Sequence, residues 1–395
     1  MQPYYKWLIA IASITLITAC SEPEEAADVN SIPVMFIGQI TDTANATPLP
    51  EAAAAIKASV ASVNARGGIG GKPLALTICD DKADANEAAK CARKAVRSGT
   101  VATLGNVSNF GNVILPILAQ AGIASIGHNP ISAQDFASPA AFPLQVGSPG
   151  TVAGAAKLLA DQGIKRIRIA TVDSPAGAVG QTFAEAGLKG TDTQIIGLSL
   201  VPIGAPDYAI YAQSVLQGSD GVLISMNADQ AARFITALRQ VDADIPVAVT
   251  SAALPPATIK QLGQAAEGIV VSMPFWPIAA GGKAITQFLT DMQQYAPQAK
   301  INGFSLQAWL SAQTLMQVLN QGLHNTPQAA IDSATVYQWL SQLEQFDLGG
   351  VIAPLTTTTE QAAPFNRLFN NKVLYGKVHN GEIQLLDTNW HVVEL

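Results

Sequence analysis

The chain has 395 residues, enough for two lobes of about 100–200 residues each. It is 49% hydrophobic and only 13% charged, which excludes a largely disordered protein. The formal net charge is −7, so no broad basic surface points to a nucleic-acid partner.

The N-terminus holds the most specific local signal. "MQPYYK" supplies a positive charge at Lys6, and "WLIAIASITLITA" follows as an apolar run too short to be preferred as a permanent membrane span. Ile17-Thr18-Ala19-Cys20 closes it with a small residue before cysteine. This pattern resembles a bacterial lipoprotein signal. It implies removal of residues 1–19, lipidation of Cys20 and attachment to an envelope membrane, facing the periplasm. An ordinary signal peptide with an incidental cysteine is the alternative. Residues 20–31 are acidic and poor in large apolar side chains, as expected of a tether. Ser21, where an aspartate would favour retention at the inner membrane, leans toward the outer one.

Next come the strand "VMFIGQI" and a helix over 50–65, then "VNARGGIGGKPLALTICDD" at 63–81. Its glycines and lysine invite comparison with a phosphate-binding loop, but the spacing fails. Counting back from Gly71-Lys72, the first glycine of such a loop falls on Arg66, and the required hydroxyl falls on Pro73. A dinucleotide-binding turn runs from strand to helix, whereas here helix precedes glycine and strand follows. Glycine after a helix supplies a left-handed cap, and Pro73 prevents the helix from continuing. The segment is therefore punctuation.

"LALTIC" is a strand, and a helix follows over 85–98. With Cys20 lipidated, Cys79 and Cys91 remain, in an oxidising compartment that permits a disulfide. A helix folding back on its own strand can join them; two buried reduced thiols are the alternative, and no nearby histidines suggest a metal site. "VATLGNV" precedes a helix over 111–121, "GIASIG" a loop, and "FPLQVGSP" has the character of a crossover. A second series alternates helices over 150–162, 177–188, 207–217, 228–240 and 255–264 with "RIRIATV", "TQIIGLSLV", "GVLISM", "IPVAVTS" and "GIVVSMPF". Helices over 283–295 and 303–322 then return to complete the first lobe, and Asn380-Gly381 marks a terminal hairpin. Such alternation predicts an α/β protein of two doubly wound, flavodoxin-like parallel-sheet lobes with a hinge. The expected division is 32–145 plus 277–372 for one lobe, and 146–276 plus 373–395 for the other.

The lipoprotein start, "SVNARGGIGGKPLALTICDDKADANEAAKCARKAV", "AAFPLQVGSPGTVAGAAKLLADQGIKRIRIATVDSPAGAVGQTF" and "AEGIVVSMPF" together resemble the Leu/Ile/Val-binding family of type I periplasmic binding proteins. The turn from Asn64 to Gly70 and Asp80-Asp81 match its scaffold motifs, over roughly residues 32 to 390. The resemblance implies a monomer that closes on a small-molecule solute between its lobes, uses no cofactor or metal, and delivers the solute to an ABC permease. Ser108 and Asn109 in "GNVSNFGN" fall where the family binds an amino acid's carboxylate; capping of the following helix is the alternative. His128 lies on the next rim loop, and the family's threonine position falls between Asn129 and Ser132. The family holds the ammonium with acidic and tyrosine side chains. Here the corresponding loops offer Val179-Gly180, Met226-Asn227 and Ser251-Ala252, with Asp173 at the rim. This departure admits a neutral amide, a carboxylic acid or an aromatic solute beside an amino acid, fitting Asn227, Ser251 and Trp276; Asp173 is a candidate contact with surface capping as the alternative. Trp276 lies near a lobe crossing, where hinge packing is favoured over ligand stacking.

No catalytic residue is assigned. Gly-x-Ser-x-Gly and His-Glu-x-x-His are absent, and His128, His324, His379 and His391 have no catalytic spacing. A regulatory or sensor lipoprotein on the same scaffold is the alternative to transport.

Overall fold

A computed structural model of the chain describes residues 30–43, 47–361 and 363–395; the signal segment and Cys20 lie outside the described residues. The first sheet contains β1 (Ile32–Gly38), β2 (Leu74–Asp80), β3 (Ala102–Leu104), β4 (Ala124–Ile126) and β5 (Ala141–Phe142), all parallel, in the order β2-β1-β3-β4-β5. β1 reads IPVMFIG because helices cover both of its faces. Val34 and Phe36 join Ile56 and Val63 of α1 (Pro50–Ala65) in one core. Met35 and Ile37 pack on the other face with α2 (Ala85–Arg97) and α3 (Gly111–Gln120).

After the short α4 (Ala133–Ala137), the chain crosses into α5 (Gly147–Asp161) and a second sheet. There β6 (Arg166–Val172), β7 (Gln194–Val201), β8 (Gly221–Ser225), β9 (Val247–Thr250) and β10 (Val270–Met273) repeat the same order, β7-β6-β8-β9-β10. One face packs on α8 (Ala209–Leu216), α9 (Ala228–Val241) and α10 (Pro256–Leu262). The other packs on α5 and α7 (Gly180–Gly187), which follows α6 (Pro175–Ala178). The single helix expected over 177–188 is thus two. Ser174 caps the first piece, its hydroxyl accepting from the Gly177 N–H at 3.0 Å. Gly177 and Gly180, weak helix formers, flank the break at Val179.

The helices α11 (Lys283–Tyr295), α12 (Gly303–Asn325) and α13 (Ser333–Leu340) return to the first sheet, where Phe288, Trp309 and Val336 enter the core built on α1. β11 (Lys372–His379) then adds antiparallel to β10, followed by β12 (Glu382–Leu385) and β13 (His391–Val392). Asn380 and Gly381 have φ of 53° and 78°, a two-residue turn of mirror type between twisted strands. The chain therefore runs between the two sheets three times, near Leu144, near Trp276 and near Asn370. Trp276 packs against cores on both sides, and its N–H donates to the Val351 carbonyl at 2.8 Å.

The glycine-rich turn has a mechanical role. Gly68 has φ of 72°, and a Cβ there would lie 2.1 Å from the Lys72 carbonyl oxygen. The Asn64 side chain accepts from the Leu74 N–H at 2.7 Å and donates to the Leu74 carbonyl at 3.0 Å, aligning the start of β2. At the far end of that strand Cys79 is disulfide-bonded to Cys91 of α2, with Cα atoms 5.7 Å apart.

Candidate functional site

In an open parallel sheet the crevice for a ligand lies beyond the carboxyl ends of the strands, where the strand order reverses. Both sheets have that reversal. In the first it falls between β1 and β3, beside Gln39 and Ser108; in the second between β6 and β8, beside Asp173 and Asn227.

The first rim is built around the end of β1. The Gln39 N–H donates to the Val107 carbonyl and the Asp81 N–H to the Gly38 carbonyl, each at 3.0 Å, which brings three strand ends together. Asn106 fixes their spacing. It accepts from the Ile37 N–H at 2.9 Å and donates to the hydroxyls of Thr103 at 2.8 Å and Ser125 at 3.2 Å. Asp81 is fully buried; one carboxylate oxygen accepts from the Ser108 hydroxyl and the other from the Ala83 N–H at 2.9 Å. Burial pushes the Asp81 carboxyl up, against the hydrogen bonds it accepts. Asp80 shows the opposite balance. Burial raises it, but bonds from the Thr41 hydroxyl and the N–H groups of Ile40, Lys82 and Thr41 hold it below the usual carboxylate range.

Ser108, His128 and Asn129 come together around a cavity of about 10 Å³, also lined by Asn106, Gly111 and Asp135 and close to the size of one water. His128 is buried, with ring nitrogens 3.2 Å from the Ser125 carbonyl and 3.3 Å from the Asp135 carbonyl. Ser132 begins α4, and its N–H donates to the Asp135 carboxylate at 2.6 Å. Gly111 makes room for that carboxylate, since a Cβ there would meet Asp135 Oδ1 at 2.2 Å. Asn109 stands apart, exposed beside the start of α3.

On the second rim Asp173 is exposed, and its N–H donates to the Val201 carbonyl at 2.9 Å. Asn227 caps α9, its side chain accepting from the Gln230 N–H at 3.0 Å and donating to Gln230 Oε1 at 2.7 Å. Ser251 is half-buried at the start of a single turn, Ser251–Ala253. Three buried side-chain atoms near these rims have no partner, Gln39 Oε1, Ser132 Oγ and Gln230 Nε2. Of these, the sequence points only to Ser132; it singles out neither Gln39 nor Gln230, nor Asn106 and Asp135. The signals within reach were the polar residue after an apolar strand for Gln39, and the Ser-x-x-Asp helix start for Asp135. Among the described residues no group of three or more histidine, cysteine or acidic side chains could hold a metal ion, and no helix is long and apolar enough to cross a membrane.

Solved structures share this architecture. An extracellular ligand-binding receptor from Verminephrobacter eiseniae is 22% identical, with a TM-score of 0.73 over 90% of this chain and 99% of its own. A fatty acid ABC transporter substrate-binding protein from Thermomonospora curvata is 14% identical, with a TM-score of 0.76 over 93% and 94%. An ABC transporter solute-binding protein of R. palustris, in complex with benzoate, is 13% identical, with a TM-score of 0.72 over 92% and 97%. No curated protein matches the sequence. A family model described as periplasmic binding protein matches residues 36–372. The chain belongs to the periplasmic binding protein family, with the type I fold of two doubly wound sheets.

Proposed function

We propose that this protein is an extracytoplasmic solute-binding lipoprotein. It captures a small polar solute (an amino acid, amide or organic acid) between its lobes and delivers it to the permease of an ABC importer. The observation that carries this reading is the matched pair of strand-order reversals, each fringed by polar side chains, on two sheets joined by three crossings. A ligand bridging both rims favours closure about those crossings. The lobes are 32–145 with 277–372, and 146–276 with 373–395; Trp276 packs at the hinge. Cys20 carries the lipid that holds the monomer to the membrane. The protein binds and does not catalyse. His391, for example, is engaged structurally, its Nε2 3.0 Å from Asp387 and its ring stacked on Tyr375.

Neighbours on this fold are named for solutes as unlike as fatty acid and benzoate, so the ligand is set by rim side chains and not by the scaffold. Of the predicted contacts, Asp173, Asn129 and Ser251 line the rims, with Ser108, His128, Ser132 and Asn227 supporting them and Asn109 reaching in from the exposed start of α3 only if the lobes close on a solute. The sensor alternative draws on the second rim, where Val179, Asn227 and Ser251 replace an ammonium grip. Mass spectrometry of solute released from the purified protein, followed by thermal shift with the identified compound, tests the reading. A small polar solute that raises the melting temperature is expected. Absence of any co-purifying solute, with no shift from amino acids, amides or organic acids, would count against it.

A further inference from the structure

We propose that Gln145 and Gln307 are positioning residues for solute capture, joining the His128–Asn129 rim loop of one lobe to the first turn of α5 in the other. This rests on the solute-binding reading above and adds how the angle between the lobes is set.

Gln307 lies on α12, and its Nε2 donates to the Gly127 carbonyl at 2.9 Å. Gly127 follows β4 and directly precedes His128 and Asn129. Gln145 lies on the first crossing, and its Nε2 donates to Gln307 Oε1 at 3.0 Å. Its own Oε1 accepts from the N–H of Gly147, the first residue of α5. The three bonds form one chain, with a main-chain acceptor at one end and a main-chain donor at the other. Only one orientation of each amide fits, because turning either one sets like groups face to face.

Gln145 and Gln307 are 4% and 2% exposed, so water does not replace a broken link. A broken link leaves buried amide groups unmet, and a gradual rotation would incur that cost at every intermediate angle. The chain therefore favours one defined setting of the lobes over a continuum. The rim loop also meets α5 directly. Gly147 has φ of 70°, and a Cβ there would lie 2.5 Å from the Pro130 carbonyl oxygen. Asn370 holds the Leu144 carbonyl beside Gln145, which fixes the crossing itself. Beyond Gly147, Val152, Ala156 and Leu159 of α5 share a core with Leu223, Ala248 and Val270 of the second sheet. A shift at Gly147 is thus carried to that sheet.

The test measures the distance between the lobes without a ligand, in the full-length protein in detergent. Pulsed electron resonance is recorded between nitroxides on ketone side chains placed at Lys90 of α2 and at Lys189 beyond α7, both exposed. The native protein should show a narrow distribution. Gln145→Leu and Gln307→Leu should each broaden it, and the double variant no further, since either change breaks the same chain. Gln313→Leu is the control. Gln313 is buried on the same helix and donates to Ser59 Oγ at 2.9 Å, within the first lobe. Its loss should lower the melting temperature comparably and leave the distance unchanged. A native distribution in Gln307→Leu, or equal broadening in Gln313→Leu, overturns the inference. Leucine, acetamide and benzoate then report on capture. Each that binds the native protein should bind Gln307→Leu more weakly by a common factor, on the order of tenfold. An altered rank order would make Gln307 a solute contact and overturn the positioning role. Broadened distances with no binding of any probe would leave that role standing and count against the solute class proposed above.

Discussion

The side-chain amide of Asn370 donates to the main-chain carbonyl of Leu144 at 3.1 Å, joining two of the three chain segments that run between the sheets. The same nitrogen lies 3.4 Å from the Ala353 carbonyl. Asn370 is 3% exposed, so both carbonyls depend on it in place of water. Asn370→Leu should cost about 1–3 kcal/mol, the penalty of unsatisfied buried acceptors, and Asn370→Asp more, because it sets a carboxylate against two carbonyl oxygens. Urea unfolding of the three proteins checks the order.

The Cys79–Cys91 bond closes a short loop across the first rim, with a sequence separation of 12. Constraint of the unfolded chain over such a loop stabilises by about 2–4 kcal/mol. The double substitution Cys79→Ala and Cys91→Ala should lower the urea midpoint accordingly. Dithiothreitol should lower the midpoint of the native protein and leave that of the variant unchanged.

Asp80 and Asp81 respond to pH with opposite sign. The fold holds the Asp80 pKa below its unfolded value, so its contribution is present above about pH 4 and is lost as the pH falls through the lowered folded pKa. The stability gap between the native protein and Asp80→Asn should therefore shrink on acidification. The Asp81 pKa is raised by burial, so ionising it costs stability as the pH climbs from about 4 through the raised folded pKa. Asp81→Asn should gain on the native protein over that interval. Chemical denaturation between pH 3 and 8 measures both slopes; parallel behaviour of the two variants would contradict this assignment.

Gly111 is the residue whose side chain the first rim cannot accept. In Gly111→Ala the new methyl overlaps Asp135 Oδ1, and the carboxylate must leave the N–H groups of Ile131 and Ser132 that it holds at 3.0 and 2.6 Å. Overpacking of this kind costs about 1–3 kcal/mol. A melting-temperature drop should accompany changed His128 ring resonances, since His128 rests on the Asp135 carbonyl.

Much of the fold was legible because its signals are local. The apolar run of β1, the amphipathic α2 with Asp84 as its cap, and the Asn380-Gly381 turn each carry their instructions within a few residues. Shorter elements were not legible. α4, the two residues of β5, and α13 are too brief or too ambiguous in period, and they form because neighbours already in place pack against them. At the strand ends the sequence marks Ser108 but not the partner that takes its hydroxyl proton. Ser108 reads as a free donor until its partner is known, and that partner lies 27 positions away.

By itself, then, the sequence determined the alternation of strands and helices, the punctuation that turns each into the next, and the loops at the carboxyl ends of the strands. Backbone conformation and hydrophobic period are properties of neighbouring residues, so a linear reading reaches them. Only the tertiary structure decided which polar atoms remain to be satisfied. The Asp81–Ser108 bond, the unpartnered oxygen of Gln39 and the Asn370–Leu144 tie depend on strand order and chain crossings that bring distant residues within hydrogen-bonding reach.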